Sequence, residues 1–352
     1  MSRFSNERIK RLTPYTPGEQ PKDGVMIKLN TNESPYPPSA SARAAASRAA
    51  AELNLYPDPD CMQLTAALAE ELGVGREELI LTNGSDEALY FAFLAFCDEN
   101  TPAAFPDITY GFYKVFAGLC GIGYDELALG GDFSVNPEDY LGINRTVFLA
   151  NPNAPTGIFL AKSEIERILA QNPDNVVVID EAYVDFGGSS CVDLIDKYDN
   201  LLVVGTFSKS RSMAGARLGF AVGSKELIAD LNRVKYSTNP YNINKMTQSA
   251  ALGTLADGEY TRENLKKICA ARDYAAAALA RLGFEMTPSL ANFLFVRSDK
   301  ISGAKYCAEL RKRGILVRHF DSPRICDYNR ITVGTMEQMR ELVRQTELIL
   351  GE

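Results

Sequence analysis

Short apolar and β-branched runs alternate with helical patterns or loops between about residues 79 and 223, and this alternation restricts the possible folds more than any other feature. The runs are Leu79–Leu81, Val147–Ala150, Val176–Ile179, Leu201–Gly205 and Gly219–Gly223. Such runs are typical of strands that are buried on both faces of a mostly parallel sheet covered by helices. The sequence therefore predicts an α/β fold.

The chain changes character from about residue 260, where helical and strand patterns mix in an α+β arrangement. The pattern predicts helices at 262–282, at 303–313 and from residue 336 onward, with strands at 293–296, 315–317 and 330–333. The proline-rich opening between Pro14 and Pro38 cannot form a regular helix. We therefore expect an N-terminal arm (1–29) that packs on the small domain or a partner subunit, a large domain (30–259) and a small domain (260–352).

The charge balance argues against nucleic acid as a partner. The formal net charge is -8 and the sequence pI is about 5.0, and no dense Lys/Arg cluster offsets this charge. The N-terminus lacks an apolar leader pattern, and the longest apolar stretch, around 88–97, is too short for a bilayer span. We expect a cytoplasmic protein without membrane contact.

Cysteine and histidine usage limits the chemistry further. The seven cysteines are scattered without a C-x-x-C pair and read as reduced core thiols. His319 is the single histidine, so a multi-histidine metal site is impossible and we expect no metal. With imidazole this scarce, proton transfer is expected to fall to a lysine.

Ligands of open α/β sheets gather beyond the carboxyl ends of the strands, so the residues that follow each strand matter most. Asn83-Gly84-Ser85-Asp86 follows the first run and predicts a tight turn into a helix N-terminus, which can hold a phosphate. The field of a helix end contributes only about 0.3 to 1 kcal/mol, so a phosphate site needs side-chain donors as well. The alternative is a plain Ser/Asp helix cap.

Asp180 and Lys209 each follow a predicted strand. Asp180 can pair with the protonated nitrogen of a heterocycle, or else cap a loop or bind a metal. Lys209, partly desolvated and beside Arg211, would have a lowered pKa and act as an amine nucleophile toward an aldehyde. Ser208 and Arg217 supply phosphate donors nearby, whereas a lysine without such neighbours is normally a solvated surface residue.

The turn Asn151-Pro152-Asn153-Ala154-Pro155-Thr156-Gly157 follows another strand and contains two X-Pro bonds. We expect at least one of them to be cis. The turn can present Asn153 or its backbone to a ring substituent, or it has no ligand role.

Together, these strand ends resemble the fold type I, aspartate-aminotransferase-like superfamily, and within it most closely the histidinol-phosphate aminotransferase branch. The resemblance spans nearly the whole chain, from Leu29-Asn30-Thr31-Asn32-Glu33-Ser34-Pro35-Tyr36 to Arg330-Ile331-Thr332-Val333-Gly334-Thr335. It implies a pyridoxal-5'-phosphate enzyme with a large domain built on a mostly parallel mixed sheet and a smaller α+β domain. The implied reaction is ping-pong transfer of an amino group from histidinol phosphate to a 2-oxo acid such as 2-oxoglutarate, in histidine biosynthesis.

The resemblance also implies roles for the cofactor site. Lys209 would form the internal aldimine and shuttle the substrate proton, and Asp180 would pair with the pyridine nitrogen. Tyr183 would bond the ring hydroxyl, and Tyr110 would stack on the ring. The residues implied to hold the cofactor phosphate or its surroundings are Ser85, Asp86, Thr206, Ser208 and Arg217.

Substrate and subunit contacts are implied in the same way. Arg330 matches the anion clamp of the family, and Arg318 looks like a second anion contact. Tyr15 would close over the substrate from the arm, and Asn32 would contact the substrate. Tyr56 looks like the tyrosine that reaches the cofactor phosphate of a neighbouring subunit, which implies a homodimer with shared sites.

One position departs from the superfamily pattern. The superfamily places asparagine directly before Pro-Thr-Gly to bond the ring hydroxyl, and here that position is Ala154. Asn153, one residue earlier, would take over this contact only with a different backbone angle.

Several other functions stay open on sequence. Another amino-acid aminotransferase, of aromatic or aspartate type, and a threonine-phosphate decarboxylase would use the same cofactor site. Gly187-Gly188-Ser189-Ser190 together with Lys209 suggests a Ser-Lys hydrolase as a remote alternative. A ligand-sensing module on the same fold is the non-enzymatic alternative.

Overall fold

The computed structural model describes residues 2–21 and 26–351. Strands β1 to β13 are Ile27–Lys28, Leu79–Thr82, Ala103–Pro106, Tyr124–Leu127, Thr146–Ala150, Val177–Asp180, Leu201–Thr206, Gly219–Gly223, Glu285–Met286, Phe293–Arg297, Ile315–Leu316, Arg318–His319 and Asn329–Thr332. Helices α1 to α11 are Glu7–Arg11, Ala40–Ala49, Met62–Leu72, Ser85–Phe96, Phe112–Cys120, Lys162–Gln171, Lys225–Thr238, Lys245–Leu255, Gly258–Arg281, Gly303–Lys312 and Met336–Gly351.

A seven-stranded sheet forms the centre of the large domain, in the order β2-β8-β7-β6-β5-β3-β4. Its strand pairs are parallel except those of β8, which runs antiparallel to both β2 and β7. The five strands predicted from the sequence are all present, each within one residue of its predicted bounds. The predicted α/β class with a mostly parallel mixed sheet is thus confirmed.

Helices cover both faces of this sheet, as alternate residues of each strand require. In β5, Val147 and Leu149 pack in the cluster that includes Leu64 of α3 and Ile165 of α6. Phe148 points to the opposite face and stacks on a phenylalanine of α4 at 4.2 Å between ring centroids. Burying one such aromatic side chain contributes roughly 1.5–3 kcal/mol, so both faces stabilise the sheet.

The small domain contains the antiparallel sheet β12-β13-β10-β9 with α9, α10 and α11 against it. Helix α9 begins at Gly258, four residues before its predicted start, so the expected boundary between residues 259 and 260 lies in its first turn. The single strand predicted at 315–317 is two short strands instead. Strand β11 pairs in parallel with β1, whereas β12 pairs antiparallel with β13.

The N-terminal arm contacts both domains of its own chain. In the first half of the arm, Arg8 donates to the Leu119 carbonyl oxygen at 3.4 Å and Tyr15 stacks on Phe112, both on α5 of the large domain. In the second half, β1 adds to β11 of the small domain. The expected packing on the small domain therefore describes only the second half. The other expectation, that the arm packs on a partner subunit, concerns a second chain.

The cysteines are free thiols, but not all of them belong to the core. Cys61, Cys97 and Cys191 are buried, while Cys326 is exposed, so the expectation of core thiols is wrong for Cys326. Among the described residues, no helix combines the length and the apolar character that a bilayer crossing requires.

Candidate active site

A cavity lies where the carboxyl ends of β5, β6 and β7 meet the N-terminus of α4. It encloses about 490 Å³ when the space of its open mouth is counted. Its lining residues are Ser85, Asp86, Tyr110, Ala150, Ala154, Asp180, Ala182, Tyr183, Thr206, Ser208, Lys209 and Arg217. Nine of these twelve are residues that the sequence analysis assigned to the cofactor.

Asp180, the last residue of β6, is 5% exposed and faces this cavity. Its carboxylate accepts hydrogen bonds from the Ala182 backbone N–H and the Tyr113 hydroxyl, both at 3.1 Å. Burial raises the pKa of Asp180 to about 6, and the two hydrogen bonds limit that rise. The carboxylate keeps lone pairs for a cationic partner in the cavity.

Tyr113 was not singled out from the sequence, although it is completely buried behind Asp180. It is the second residue of α5 and lies three positions after Tyr110, which precedes the helix. The nearness of Tyr113 to Tyr110 in the sequence could have marked Tyr113 as a residue of the site, but it does not reveal the hydrogen bond to Asp180.

Lys209 lies in the loop between β7 and β8, and its Nζ is 5.7 Å from the centroid of the Tyr183 ring. The preceding turn is fixed by the Ser208 backbone N–H, which donates to Thr206 Oγ1 at 3.1 Å. The sequence suggested that Arg211 influences Lys209 as its neighbour, but the Arg211 guanidinium binds other residues. Its guanidinium pairs with Glu71 at 2.6 Å and approaches a second carboxylate, Asp185, at 3.6 Å, so its charge is neutralised there.

The opposite end of the cavity has the features of an anion site. Gly84 has a φ of +80°, and α4 begins at Ser85 with its first backbone N–H groups free of helical partners. Gly219 packs so closely that a Cβ there would lie 2.2 Å from the Ser85 nitrogen. Arg217, at a φ of +56°, reaches Asp86 at 3.1 Å. A non-glycine residue in this conformation is uncommon and is often found at functional sites.

Asp86 organises this end through both of its carboxylate oxygens. One oxygen accepts from Arg217, and the other accepts from the Tyr110 hydroxyl at 2.6 Å. The Tyr110 ring is thereby fixed over the cavity, against the edge of Tyr113 at 5.7 Å between centroids.

Tyr183 and Asn32 form a pair at the side of the cavity nearest the small domain. The Asn32 Nδ2 donates to the Tyr183 hydroxyl at 2.9 Å, and both side chains are buried. Asn32 itself does not line the cavity. The structure brings it to the tyrosine, whereas the resemblance implied a contact with substrate.

The Asn153 amide is turned away from the cavity. It donates to the Ile108 carbonyl oxygen and to Thr156 Oγ1, both at 3.0 Å, and accepts from Thr109 Oγ1 at 2.7 Å. Ala154 lines the cavity instead. The expectation that Asn153 faces the ring is therefore not met, because its amide already makes hydrogen bonds to residues outside the cavity. Both X-Pro bonds of this turn are cis.

Arg330 lies on β13, is half-buried, and its guanidinium carbon is 5.5 Å from the centroid of the Phe293 ring. Burial lowers its pKa and the nearby Arg318 guanidinium lowers it further, while the hydroxyl groups of Tyr183 and Tyr15 act in the opposite direction. One terminal nitrogen donates to the Asn30 carbonyl oxygen at 3.2 Å, and Nε has no hydrogen-bond partner within residues 2–21 and 26–351. In the described residues, no carboxylate pairs with this guanidinium, so it is available for an anionic ligand.

Arg318 is the cross-strand neighbour of Arg330, since β12 and β13 pair these two residues directly. Its guanidinium donates to the Thr16 carbonyl oxygen of the arm at 3.3 Å. Tyr15, one residue earlier in the arm, stacks on Phe112 with ring centroids 4.4 Å apart. Arg318 and Arg330 thus lie together where the arm meets the small domain, and neither of them nor Tyr15 lines the cavity itself.

Tyr56 is apart from this group. It is 80% exposed and stacks on Tyr241 with centroids 4.5 Å apart, and it does not line the cavity of its own chain.

The serine segment that suggested a Ser-Lys hydrolase is also away from the cavity. Ser190 Oγ donates to Glu181 at 2.6 Å, and Ser190 does not line the cavity around Lys209.

The residues present fit pyridoxal phosphate, the cofactor that the resemblance implies. A carboxylate at one end suits the ring nitrogen, and a primary amine suits the aldehyde. The glycine-cradled helix N-terminus with Ser208 and Arg217 suits the phosphate at the other end. An aromatic ring, Tyr110, borders the space between them.

Comparison with known proteins agrees with this geometry. Residues 25–345 match the model of the family "Aminotransferase class I and II". A histidinol-phosphate aminotransferase from Bradyrhizobium diazoefficiens is 48% identical over 97% of this chain and 98% of its own length. Another, from Dechloromonas aromatica, is 48% identical over the full length of both chains.

Solved structures show the same fold. The histidinol-phosphate aminotransferase from Sinorhizobium meliloti in complex with pyridoxal-5'-phosphate has a TM-score of 0.88 and 23% identity, covering 100% of this chain and 98% of that one. A putative histidinol-phosphate aminotransferase from Erwinia carotovora atroseptica has a TM-score of 0.85 and 28% identity, covering 92% and 96%. With the family model and close relatives spanning nearly its whole length, the chain belongs to the class I and II aminotransferases.

Proposed function

We propose that this protein transfers the amino group of L-histidinol phosphate to a 2-oxo acid such as 2-oxoglutarate, as a step of histidine biosynthesis in the cytoplasm. The observation that carries the proposal is the pair Arg330 and Arg318, which face each other across β12 and β13 at the substrate end of the site. Two guanidinium groups suit a dianionic phosphate better than a single carboxylate. The curated relatives, at 44–48% identity, are named for this substrate.

The cofactor supplies, when bound, an electron-withdrawing ring that stabilises negative charge on the substrate carbon. In this proposal Asp180 holds the proton of the ring nitrogen, because a buried carboxylate next to that nitrogen keeps it cationic. Lys209 Nζ provides the amine for the aldehyde and then moves the proton of the substrate carbon. Tyr183 donates its hydroxyl proton into the cavity.

The remaining residues bind and orient. Ser85, Ser208 and Arg217 would hold the cofactor phosphate, with Thr206 supporting the turn and Asp86 fixing Arg217. Tyr110 would cover one face of the ring. Tyr15 and the arm would exclude water from the substrate end, where the arm already contacts Arg318 through the Thr16 carbonyl oxygen.

A half-reaction panel tests the function directly. The purified, cofactor-loaded protein is mixed with histidinol phosphate, phenylalanine, aspartate or threonine phosphate without a 2-oxo acid. Pyridoxamine phosphate and released carbon dioxide are then measured. We expect pyridoxamine phosphate to form fastest with histidinol phosphate, without carbon dioxide. Faster reaction with phenylalanine or aspartate would indicate another aminotransferase, and carbon dioxide from threonine phosphate would indicate a decarboxylase.

Arg330→Met is expected to lower kcat/KM for histidinol phosphate by about 10² to 10³-fold, because it removes a buried charge-assisted contact worth a few kcal/mol. Arg330→Lys keeps the charge but loses the planar fork, so it should recover only part of the activity. The rate is measured with histidinol phosphate and 2-oxoglutarate. Arg340→Met, which replaces an arginine of α11 outside the cavity, serves as the control. Equal loss in the Arg340 variant would contradict a binding role.

We also propose a homodimer in which Tyr56 reaches the cofactor phosphate of the other subunit. Large apolar side chains are exposed together around this tyrosine: Leu53, Leu55, Tyr56, Met62 and Tyr241. Met62 is 65% exposed at the start of α3, beside a broad concavity that Tyr56 also lines. Contiguous apolar groups of this size are typical of subunit interfaces.

Met62→Glu is expected to convert the dimer into a monomer, because a carboxylate would be buried at the interface without a partner. Sedimentation velocity measures the change, and bound cofactor should fall with it. Leu348→Glu, at a residue 47% exposed on α11, is the matched control and should leave the sedimentation coefficient unchanged. A wild-type protein that sediments as a monomer would refute the proposed dimer.

A further inference from the structure

The Tyr183 hydroxyl receives a hydrogen bond from a group that the function proposed above does not use. Asn32 Nδ2 donates to the phenol oxygen at 2.9 Å. A phenol both accepts and donates, so this contact occupies an acceptor position and leaves the hydroxyl proton free to point into the cavity. Tyr183 lines that cavity and its ring lies 5.7 Å from Lys209 Nζ.

Asn32 is held in place by the small domain and has no freedom to turn toward a substrate. Its backbone N–H donates to Thr332 Oγ1 at 2.9 Å, and the Thr332 hydroxyl donates to Asn32 Oδ1 at 3.0 Å. Its carbonyl oxygen accepts from Asn292 Nδ2 at 3.1 Å. The residue is 1% exposed and has a φ of 54°, a left-handed conformation that asparagine tolerates better than other residues with side chains.

The amide orientation follows from these contacts. With Oδ1 accepting from the Thr332 hydroxyl, the amide nitrogen faces Tyr183, and an amide nitrogen only donates. A donated hydrogen bond draws electron density from the phenol oxygen and strengthens the outward O–H as a donor, since hydrogen bonds in a chain polarise one another. The effect is largest where water is excluded, as it is around these two buried side chains.

The alanine at position 154 explains why a stronger Tyr183 donor matters. Its methyl group lines the cavity where the superfamily pattern has an asparagine side chain, and the Asn153 amide is committed to Ile108, Thr109 and Thr156. The cavity therefore lacks the amide donor that the pattern supplies at this turn. Tyr183 is left as the donor on this side.

We propose that Asn32 is a positioning residue that acts through Tyr183: it orients and polarises the phenol so that one strengthened donor serves the cofactor's ring oxygen in place of the two donors of the superfamily pattern. The inference rests on the proposed function, since it needs bound pyridoxal phosphate. It replaces the direct substrate contact that the resemblance implied for Asn32.

Thr332 extends the chain of contacts to the substrate end. It lies two residues after Arg330 on β13, so both side chains point to the same face of that strand. One strand thus presents the anion-binding guanidinium and also fixes the asparagine that orients Tyr183.

The test is a pH titration of the long-wavelength absorption band of the bound cofactor in the holoenzyme. A donor to the ring oxygen favours its anionic form, so weakening that donor lets the oxygen keep its shared proton to higher pH. Asn32→Gly keeps the left-handed backbone and removes only the amide. We expect its titration midpoint to rise by about 0.5 to 1 pH unit, the size of one hydrogen bond. The KM for the amino donor should stay within about twofold while kcat falls.

A double-mutant cycle separates this role from a general structural one. In a Tyr183→Phe background, Asn32→Gly should cause no further shift, because the phenol through which it acts is gone. An equal shift in both backgrounds, or an unchanged midpoint with a raised donor KM, would overturn the proposal. If Asn32→Gly does not fold, the same titration is carried out with Asn32→Asp. Its carboxylate would capture the phenol proton, so its midpoint should match that of Tyr183→Phe, and a wild-type midpoint would overturn the proposal. A wild-type protein without any such band refutes the proposed function instead.

Discussion

Replacing Lys209 by alanine is expected to lower the rate of amino transfer by about 10⁴-fold or more, because one side chain supplies both the amine for the aldehyde and the proton transfer at the substrate carbon. Among the residues that the structure describes, no other lysine lines the cavity. The loss should appear in single-turnover formation of pyridoxamine phosphate. The variant should also lack the long-wavelength band of the covalently held cofactor.

Lys225→Ala is the matched control for this experiment. Lys225 is an exposed lysine that pairs with Glu77 at 2.7 Å on the surface, so its replacement should leave both the rate and the band unchanged. A Lys209→Ala variant that retains the band and wild-type turnover would exclude this lysine as the cofactor's anchor. Added methylamine offers a positive result, since a small primary amine can partly restore proton transfer in the vacated space.

Asp180→Asn is expected to lower activity by about 10² to 10⁴-fold and, at the same time, to stabilise the cofactor-free protein. The loss of activity follows because an amide cannot hold the ring nitrogen in its protonated form. The gain in stability follows because burial raises the pKa of Asp180 from 3.8 to about 6, so the native state disfavours the ionised carboxylate.

The pH window of this effect follows from the direction of the shift. Between about pH 4 and pH 6 the native carboxyl binds more protons than the unfolded one, so stability falls as the pH rises through this window. Above it, the ionised group costs on the order of 3 kcal/mol, which asparagine removes. The free energy of unfolding of the cofactor-free proteins, measured at pH 5 and pH 8, should differ more for wild type than for Asp180→Asn.

The neighbouring carboxyl gives a matched control. Burial raises the pKa of Glu181 to about 7, but its side chain binds Ser190 and the Cys191 backbone N–H and does not line the cavity. Glu181→Gln should change the pH dependence of stability while leaving the catalytic rate within a fewfold of wild type. If it abolished activity as Asp180→Asn does, the assignment of Asp180 alone to the ring nitrogen would be wrong.

The strand ends that carry Asp180 and Lys209 could be predicted from the sequence, because continuous apolar runs mark strands buried on both faces. Strand β3 and the edge strand β4 beside it were not predicted. Ala103–Pro106 is too short and alanine-rich to give a strand signal, and the polar Tyr124–Leu127 pairs on one side only. Pairing with a neighbour, rather than local propensity, determines such strands.

The side-chain contacts of the site could not be predicted from the sequence for a similar reason. Asn32 and Tyr183 are far apart in the chain, and Thr332 and Asn292 of the small domain hold the asparagine where it meets the tyrosine. Arg211 shows the converse: its nearness to Lys209 in sequence predicted an electrostatic influence, but the folded chain brings carboxylates from Glu71 and Asp185 to it. Sequence proximity identifies neighbours along the backbone, not the partners of a long side chain.

The order of strands in the large sheet has a consequence for the newly made chain. Strand β2 lies at the edge of the sheet and pairs only with β8, which follows it far along the chain. At about 5 to 20 residues per second, a ribosome needs roughly 7 to 27 s to make the segment between them. Throughout that time β2 and the helix that starts at Ser85 wait without their neighbour, and Arg217 has not yet been synthesised. The anion site is therefore completed only when Arg217 and β8 have been made, after every other strand of this sheet.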